Sequence, residues 1–189
     1  PYRIETVTPR QVDGEGITVE ITTTAQDIKG VPAEDQARLE FEFKLLADCP
    51  GIVVRSRSVS LFDSEVDAKA NWGWLPAPYY ATADGQKAWT GVAKNAYVTV
   101  GKVGWVWLAP KRENTPGLVW VSAHSFGESR FDTMLLYADG SKAAPDDGLV
   151  MTFVIAPAAS QEEAKSVFDT VREKGILPGL DSPTSADKK

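Results

Sequence analysis

Two stretches of strict alternation constrain the fold of this chain more than any other feature. Residues 17–22 and 38–45 place an apolar side chain at every second position, with Leu39, Phe41, Phe43 and Leu45 in the second stretch. A period of two puts one face of a strand in a core and the other face in water. Both stretches are therefore predicted to be half-buried strands of an antiparallel sheet.

Further strands are expected along most of the chain. In residues 105–109 both alternating sets are apolar, which predicts a central strand buried on both faces, and residues 118–121 are expected to form a hairpin with it. Residues 149–155 are almost continuously apolar and predict a last strand. Turn residues separate these runs and no strand–helix alternation occurs. The fold class is therefore predicted to be all-β, an antiparallel β-sandwich of about nine or ten strands.

One amphipathic helix is predicted at the C-terminal end, over residues 160–174. Ser160 and Glu163 form the capping-box pattern, and Gly175 is a typical helix stop. Its apolar stripe consists of Ala164, Val167, Phe168 and Val171, spaced to pack one face on the sandwich. Residues 1–175 are expected to form a single domain, and residues 176–189, which end in the polar run 181–189, are expected to form a linker or disordered tail.

Charge and cysteine content exclude several classes of function. The 189 residues carry a net charge of −6, which disfavours nucleic acid and anionic membrane surfaces as partners. No apolar run approaches the ~20 residues that span a bilayer, so no membrane insertion is expected. The lone Cys49 can build neither an internal disulfide nor a thiolate metal site. Nucleotide-binding motifs are absent, and neither a cofactor nor a metal is predicted.

Aromatic side chains concentrate in the middle of the chain. All six tryptophans lie within residues 71–121, and residues 71–80 combine four aromatics with two prolines and a glycine. Such a run either fills a core or forms a binding surface. As a binding surface it suits a sugar, because aromatic rings have a flat apolar face and a polar edge. The candidate ligand-binding residues are Asn71, Trp72, Trp74, Tyr79 and Tyr80. Tryptophans within regular strands, such as Trp105, are expected in the core.

A polar cluster follows the strand that contains Trp120. His124 is the one histidine of the chain, and Glu128 and Arg130 lie close to it in sequence. If the protein is an enzyme, these three residues and Tyr80 are the candidates for proton transfer. The alternative is a histidine that is bonded to the backbone of a loop and has no chemical role.

The order of these elements resembles the galactose-mutarotase-like β-sandwich, as found in accessory domains of bacterial carbohydrate-active enzymes. The resemblance rests on the Gly-Trp-Val-Trp-Leu strand at 104–108, on Pro-Gly-Leu-Val-Trp-Val at 116–121, and on the apolar string 147–157 with a helix after it. It covers about residues 1–175. Mutarotases use histidines and a carboxylate, and only His124 is present here. The resemblance thus implies a carbohydrate context without mutarotase activity.

These observations favour a non-catalytic, carbohydrate-associated domain of a larger polysaccharide-processing protein. Its expected partners are a glycan or a neighbouring domain of the same polypeptide, and its expected location is secreted or periplasmic. The first alternative is a polysaccharide lyase or glycoside hydrolase that acts through the His124 cluster. The second alternative is a structural protein-interaction module, whose aromatic residues pack against another domain.

Overall fold

The computed structural model describes residues 2–12, 16–25, 38–59, 66–67, 77–91, 97–112, 114–129, 133–137, 142–143 and 149–180. These residues form fourteen strands and one helix. In chain order they are β1 (Tyr2–Val12), β2 (Gly16–Ala25), β3 (Arg38–Leu45), β4 (Ile52–Val59), β5 (Val66–Asp67), β6 (Tyr80–Thr82), β7 (Gly85–Lys87), β8 (Tyr97–Gly101), β9 (Trp105–Leu108), β10 (Gly117–Ser122), β11 (Ser125–Ser129), β12 (Thr133–Tyr137), β13 (Lys142–Ala143), β14 (Leu149–Ala158) and α1 (Gln161–Glu173).

The described strands pair antiparallel in three sheets. The large sheet has the order β1-β2-β3-β4-β14-β10-β9-β6-β7, the small sheet has the order β12-β11-β8, and β13 pairs with β5. The predicted all-β, sandwich-like class with one C-terminal helix is confirmed. The strands of the described residues outnumber the nine or ten predicted, partly because β5 and β13 have only two residues each and carry no periodic signal.

Two cores lie on opposite faces of the large sheet. The helix-side core joins the sheet to α1, and contains Trp105, Trp107, Val119, Val154 and Val167 among others. The inter-sheet core joins the large sheet to the small sheet, and contains Val106, Leu108, Trp120, Phe126 and Leu136 among others. The central strands are therefore covered twice, which confirms that the strand at 105–108 is buried on both faces.

The same double burial accounts for the run of apolar residues at the start of β4. Val53 belongs to the helix-side core, and Val54 belongs to the inter-sheet core. The register of β4 with both β3 and β14 is continuous over these residues. Burial on both faces, and not a bulge, therefore explains the neighbouring apolar residues Val53 and Val54, while Ile52 before them is 41% exposed.

Three strand tryptophans are core residues, as predicted. Trp105, Trp107 and Trp120 are each at most 5% exposed. Their indole N–H groups differ in their hydrogen bonding. Trp107 Nε1 donates to the carbonyl oxygen of Ala158 at 2.9 Å, whereas Trp120 Nε1 is buried without a partner among the described residues.

Helix α1 matches its prediction closely. The Ser160 side chain accepts a hydrogen bond from the backbone N–H of Glu163 at 3.2 Å, and Ala164, Val167 and Val171 are buried. Gly175 has a φ of 62°, a backbone conformation that favours glycine after a helix. No described helix is long and apolar enough to cross a membrane.

The folded body extends past the boundary expected at residue 175. Leu177 and Leu180 are 4% and 6% exposed and belong to the helix-side core. Both leucines lie in the irregular segment 176–180, which has no helix or strand period that could have marked it as part of the core. Residues 181–189 lie outside the described residues.

Two strand predictions differ from the structure. In the sequence, Tyr2–Val7 reads as a short strand that Pro9 closes, but Pro9 lies within β1. This is possible because β1 is an edge strand, where a missing N–H costs no ladder hydrogen bond. Strand β11 was not predicted at all, because its buried face carries Glu128 and therefore shows no apolar alternation.

The contrast between two buried tryptophans yields a stability prediction. Replacing either Trp107 or Trp120 by Phe removes a similar apolar area, but only Trp107→Phe breaks a buried hydrogen bond. We expect Trp107→Phe to lower the free energy of unfolding by about 1 kcal/mol more than Trp120→Phe does. Chemical denaturation of the two variants measures this difference, and equal losses would contradict it.

Candidate functional site

A buried carboxylate links the two sheets. Glu128 lies on β11 two residues after Phe126, so both side chains face the inter-sheet core. Glu128 is only 2% exposed. The hydroxyl of Tyr80, on β6 of the large sheet, donates to Glu128 Oε1 at 2.6 Å. The sandwich thus brings together two of the four residues that were candidates for proton transfer.

Thr90 supplies the other two hydrogen bonds of this carboxylate. Its backbone N–H donates to Glu128 Oε2 at 2.8 Å, and its hydroxyl donates to the same oxygen at 2.7 Å. Three donors therefore serve the two oxygens. Hydrogen bonds to an ionised carboxylate are stronger than neutral ones, and they offset part of the cost of burying it.

The Tyr80 hydroxyl is held in its protonated form. Burial of Tyr80 raises its pKa well above the ordinary value of a tyrosine, and the hydrogen bond to Glu128 and the carboxylate charge raise it further. A protonated phenol can donate to Glu128, whereas a phenolate would repel it. This arrangement suits a donor that fixes a carboxylate in place.

The ring of Trp89 packs against Tyr80 at the edge of the large sheet. The ring centroids are 4.9 Å apart, and Trp89 Nε1 donates to the carbonyl oxygen of Ala77 at 2.8 Å. Trp89 is half-buried, while Thr90, which follows it in sequence, and Pro78, which follows Ala77, are exposed. Two contacts therefore orient an indole ring that still reaches the surface.

Tyr79 lies on the opposite face of the large sheet from Tyr80. Its ring meets the edge of Trp107, with centroids 6.1 Å apart, and it packs on the helix-side core. Tyr79 is half-buried, whereas Tyr80 is 4% exposed. The two neighbouring tyrosines that were candidate ligand contacts thus belong to different cores and do not share one surface.

The remaining candidates are divided between described and undescribed parts of the chain. Asn71, Trp72, Trp74 and Arg130 lie outside the described residues. His124 lies half-buried in the turn between β10 and β11, where its backbone N–H donates to Ser122 Oγ at 3.0 Å. The described hydrogen bonds of Glu128 come from Tyr80 and Thr90, so none joins Glu128 to His124.

The described residues contain no candidate metal-binding site. They contain no group of three His, Cys, Asp or Glu side chains that could hold an ion. Cys49, between β3 and β4, packs partly on the helix-side core, and burial raises the pKa of its thiol. A protonated thiol in apolar surroundings agrees with the packing role expected for this cysteine.

Trp89 and Thr90 were not singled out by the sequence. Residues 86–92 were expected to form a strand, but β7 ends at Lys87 and the following residues are irregular up to Gly91, which has a φ of 70°. The dipeptide Thr90-Gly91 is the sequence feature that could have indicated a turn here. Glycine tolerates this φ, and Thr hydroxyls commonly form hydrogen bonds in such turns.

Comparison with known protein families and with curated proteins finds no match to this chain.

The raised pKa of Tyr80 predicts a specific loss of stability at alkaline pH. An unfolded tyrosine loses its proton near pH ~10, while folded Tyr80 keeps its proton. Above that pH the folded state binds more protons, so this group lowers the free energy of unfolding by up to about 1.4 kcal/mol per pH unit. Below it, the contribution of Tyr80 is fully present.

We therefore expect the stability difference between wild type and Tyr80→Phe to narrow as pH rises from about 9 to about 11. At neutral pH, Tyr80→Phe destabilises by about 1–3 kcal/mol, because Glu128 loses a donor. Denaturation at several pH values measures both effects. Tyr79→Phe is the matched control, since no described hydrogen bond joins its hydroxyl to Glu128. Parallel pH curves for wild type and Tyr80→Phe would contradict the assignment.

Proposed function

We propose that this chain is a non-catalytic, carbohydrate-associated β-sandwich domain that supplies glycan contacts to a larger polysaccharide-processing protein. The observation that carries the proposal is the partly buried indole of Trp89, which two contacts orient at the edge of the large sheet. A fixed aromatic ring loses little conformational freedom on binding, which favours weak ligands such as sugars. The resemblance to galactose-mutarotase-like accessory domains supports the same context.

The aromatic run 71–76 adds to this support through the sequence. It leads directly into Ala77, whose carbonyl oxygen accepts the hydrogen bond from Trp89. Thr90, next to Trp89 in sequence, and Pro78, next to Ala77, are both exposed. In the proposed site Trp89 stacks on a sugar ring, and Asn71, Trp72 and Trp74 contribute further contacts.

The burial of Glu128 supports a non-catalytic role. A general acid or base must approach its substrate within about 2.6–3.2 Å, but Glu128 is 2% exposed and both of its oxygens already accept hydrogen bonds. Tyr80 is buried as well, and its hydroxyl is engaged as the donor of a hydrogen bond to that carboxylate. In this proposal the hydrogen bond between Tyr80 and Glu128 has a structural role. It holds the edge of the large sheet next to Trp89 against the small sheet.

Intrinsic tryptophan fluorescence, titrated with a panel of neutral and acidic polysaccharides, tests the proposal. We expect one glycan to give a saturable change, and Trp89→Ala to weaken its binding by roughly three- to tenfold, the size of one aromatic contact. Trp74→Ala is expected to weaken it too. Lys87→Ala, a neighbouring exposed position on β7, is the control.

Thermal unfolding establishes that each variant is folded before its affinity is compared. The proposal fails if no glycan gives a saturable change with the wild type, or if both tryptophan variants bind as the wild type does. Formation of new reducing or unsaturated ends during the titration would instead favour the lyase or hydrolase alternative.

A second candidate, the structural protein-interaction module, is favoured by exposed apolar residues on the large sheet. Leu45 and Ile52 pair across β3 and β4 and are 49% and 41% exposed. Adjacent exposed apolar side chains favour contact with another protein surface. Under this candidate, the wild type self-associates as its concentration rises, and light scattering shows Leu45→Lys to remain monomeric. Val98→Lys, on an exposed apolar position of β8, is the matched control.

A further inference from the structure

An open cleft lies on the helix-covered face of the large sheet, beyond the reach of α1. Its volume is about 560 Å³, within the range of sites that bind small molecules. Among the described residues the helix packs mainly on β9, β10 and β14, and the cleft lies beside it over β3 and β4. The cleft and Trp89 lie on opposite faces of the large sheet. The cleft adjoins the helix-side core, whereas Trp89 packs against the inter-sheet core.

One side of this cleft is apolar. It is lined by Leu46, Ala47 and Val53 of the β3–β4 region and by Ile176 and Pro178 of the segment after α1. Val53 belongs to the helix-side core, and Leu46 and Ile176 pack against that core. The cleft therefore exposes the margin of a hydrophobic core to solvent, where an aliphatic group gains free energy by leaving water.

The other side of the cleft is charged. Glu42, Arg55 and Thr152 stand in one row across β3, β4 and β14, and Lys44 lies two residues from Glu42 on the same face. Lys44 Nζ is 3.2 Å from Glu42 Oε1, so these two charges pair with each other. Asp48, also on the lining, lies 3.4 Å from Lys174 Nζ.

Arg55 takes part in neither of these ion pairs, although Glu42 stands directly opposite it on β3. It is exposed, and no salt bridge joins it to a residue in the described part of the chain. A guanidinium has a planar array of donors that matches a carboxylate in two parallel hydrogen bonds. Its cross-strand neighbour Thr152 adds a hydroxyl to the same row.

We propose that this cleft binds a small amphipathic carboxylate, with its aliphatic body on Leu46, Val53 and Ile176 and its carboxylate on Arg55. A single negative charge fits better than a phosphate dianion, because Glu42 and Asp48 also line the cleft and repel the second charge. A sugar fits less well, because none of the described residues that line the cleft has an aromatic ring. The site is therefore distinct in ligand class from the proposed glycan-binding edge.

Backbone amide NMR shifts of the full chain, titrated with sodium octanoate, test this proposal. We expect saturable shifts confined to residues 42–55, 152 and 176–178. Octanamide has the same tail without the charge, and acetate has the charge without the tail, so both are expected to bind at least about tenfold more weakly.

Two substitutions are expected to act in opposite directions. Arg55→Gln weakens octanoate binding by about tenfold or more, because it removes the charge-assisted hydrogen bonds. Glu42→Gln strengthens binding by about two- to fivefold, because it removes a nearby negative charge and releases Lys44. Both side chains are at the surface of a sheet, so neither change removes a core contact.

Arg112→Gln is the matched control. It makes the same change of residue in the exposed loop before β10. Strand β10 begins at Gly117, which pairs with Ala158, about 20 Å along β14 from Thr152. The proposal is overturned if octanoate gives no saturable shifts at the cleft, if octanamide binds equally well, or if Arg55→Gln binds octanoate as tightly as Arg112→Gln does.

Discussion

Two-sided burial of β9, β10 and β14 is the constraint on which the rest of this structure depends. Their residues alternate between two cores, so neither face tolerates water. Helix α1 covers one face with Ala164, Val167 and Val171, and the small sheet covers the other with Phe126, Met134 and Leu136. Each covering layer is thus required by the apolar character of the same three strands, and the order of layers is helix, large sheet and small sheet.

Much of this arrangement could be predicted from local pattern. Strands such as β9 and β14 are apolar at consecutive positions, and the helix carries a cap, a stripe and a stop. Strand β11 could not be predicted, because Glu128 occupies a core-facing position and its three donors come from distant parts of the chain. A buried charge breaks the hydrophobic pattern that identifies a strand.

The candidate site depends on the sandwich and not on any spacing in the sequence. Tyr80 and Glu128 are 48 residues apart in the chain and meet only because the small sheet stacks on the large sheet. Conversely, Tyr79 and Tyr80 are adjacent in sequence, but their side chains lie on opposite faces of the large sheet, because successive side chains of an extended chain point to opposite faces. Aromatic density alone therefore predicted where a site could be, and the strand period decided which rings could share it.

The position of β14 in the large sheet has a consequence for the order of folding. β14 lies between β4 and β10, although it is the last of the described strands in chain order. The β1–β4 meander can form from neighbouring hairpins, but β4 and β10 both keep an unpaired edge until residues 149–158 leave the ribosome. Unpaired edges attract other strands. Completion of this sheet is thus a late event in synthesis. Until β14 arrives, the nascent chain depends on protection of the β4 and β10 edges from pairing with other strands.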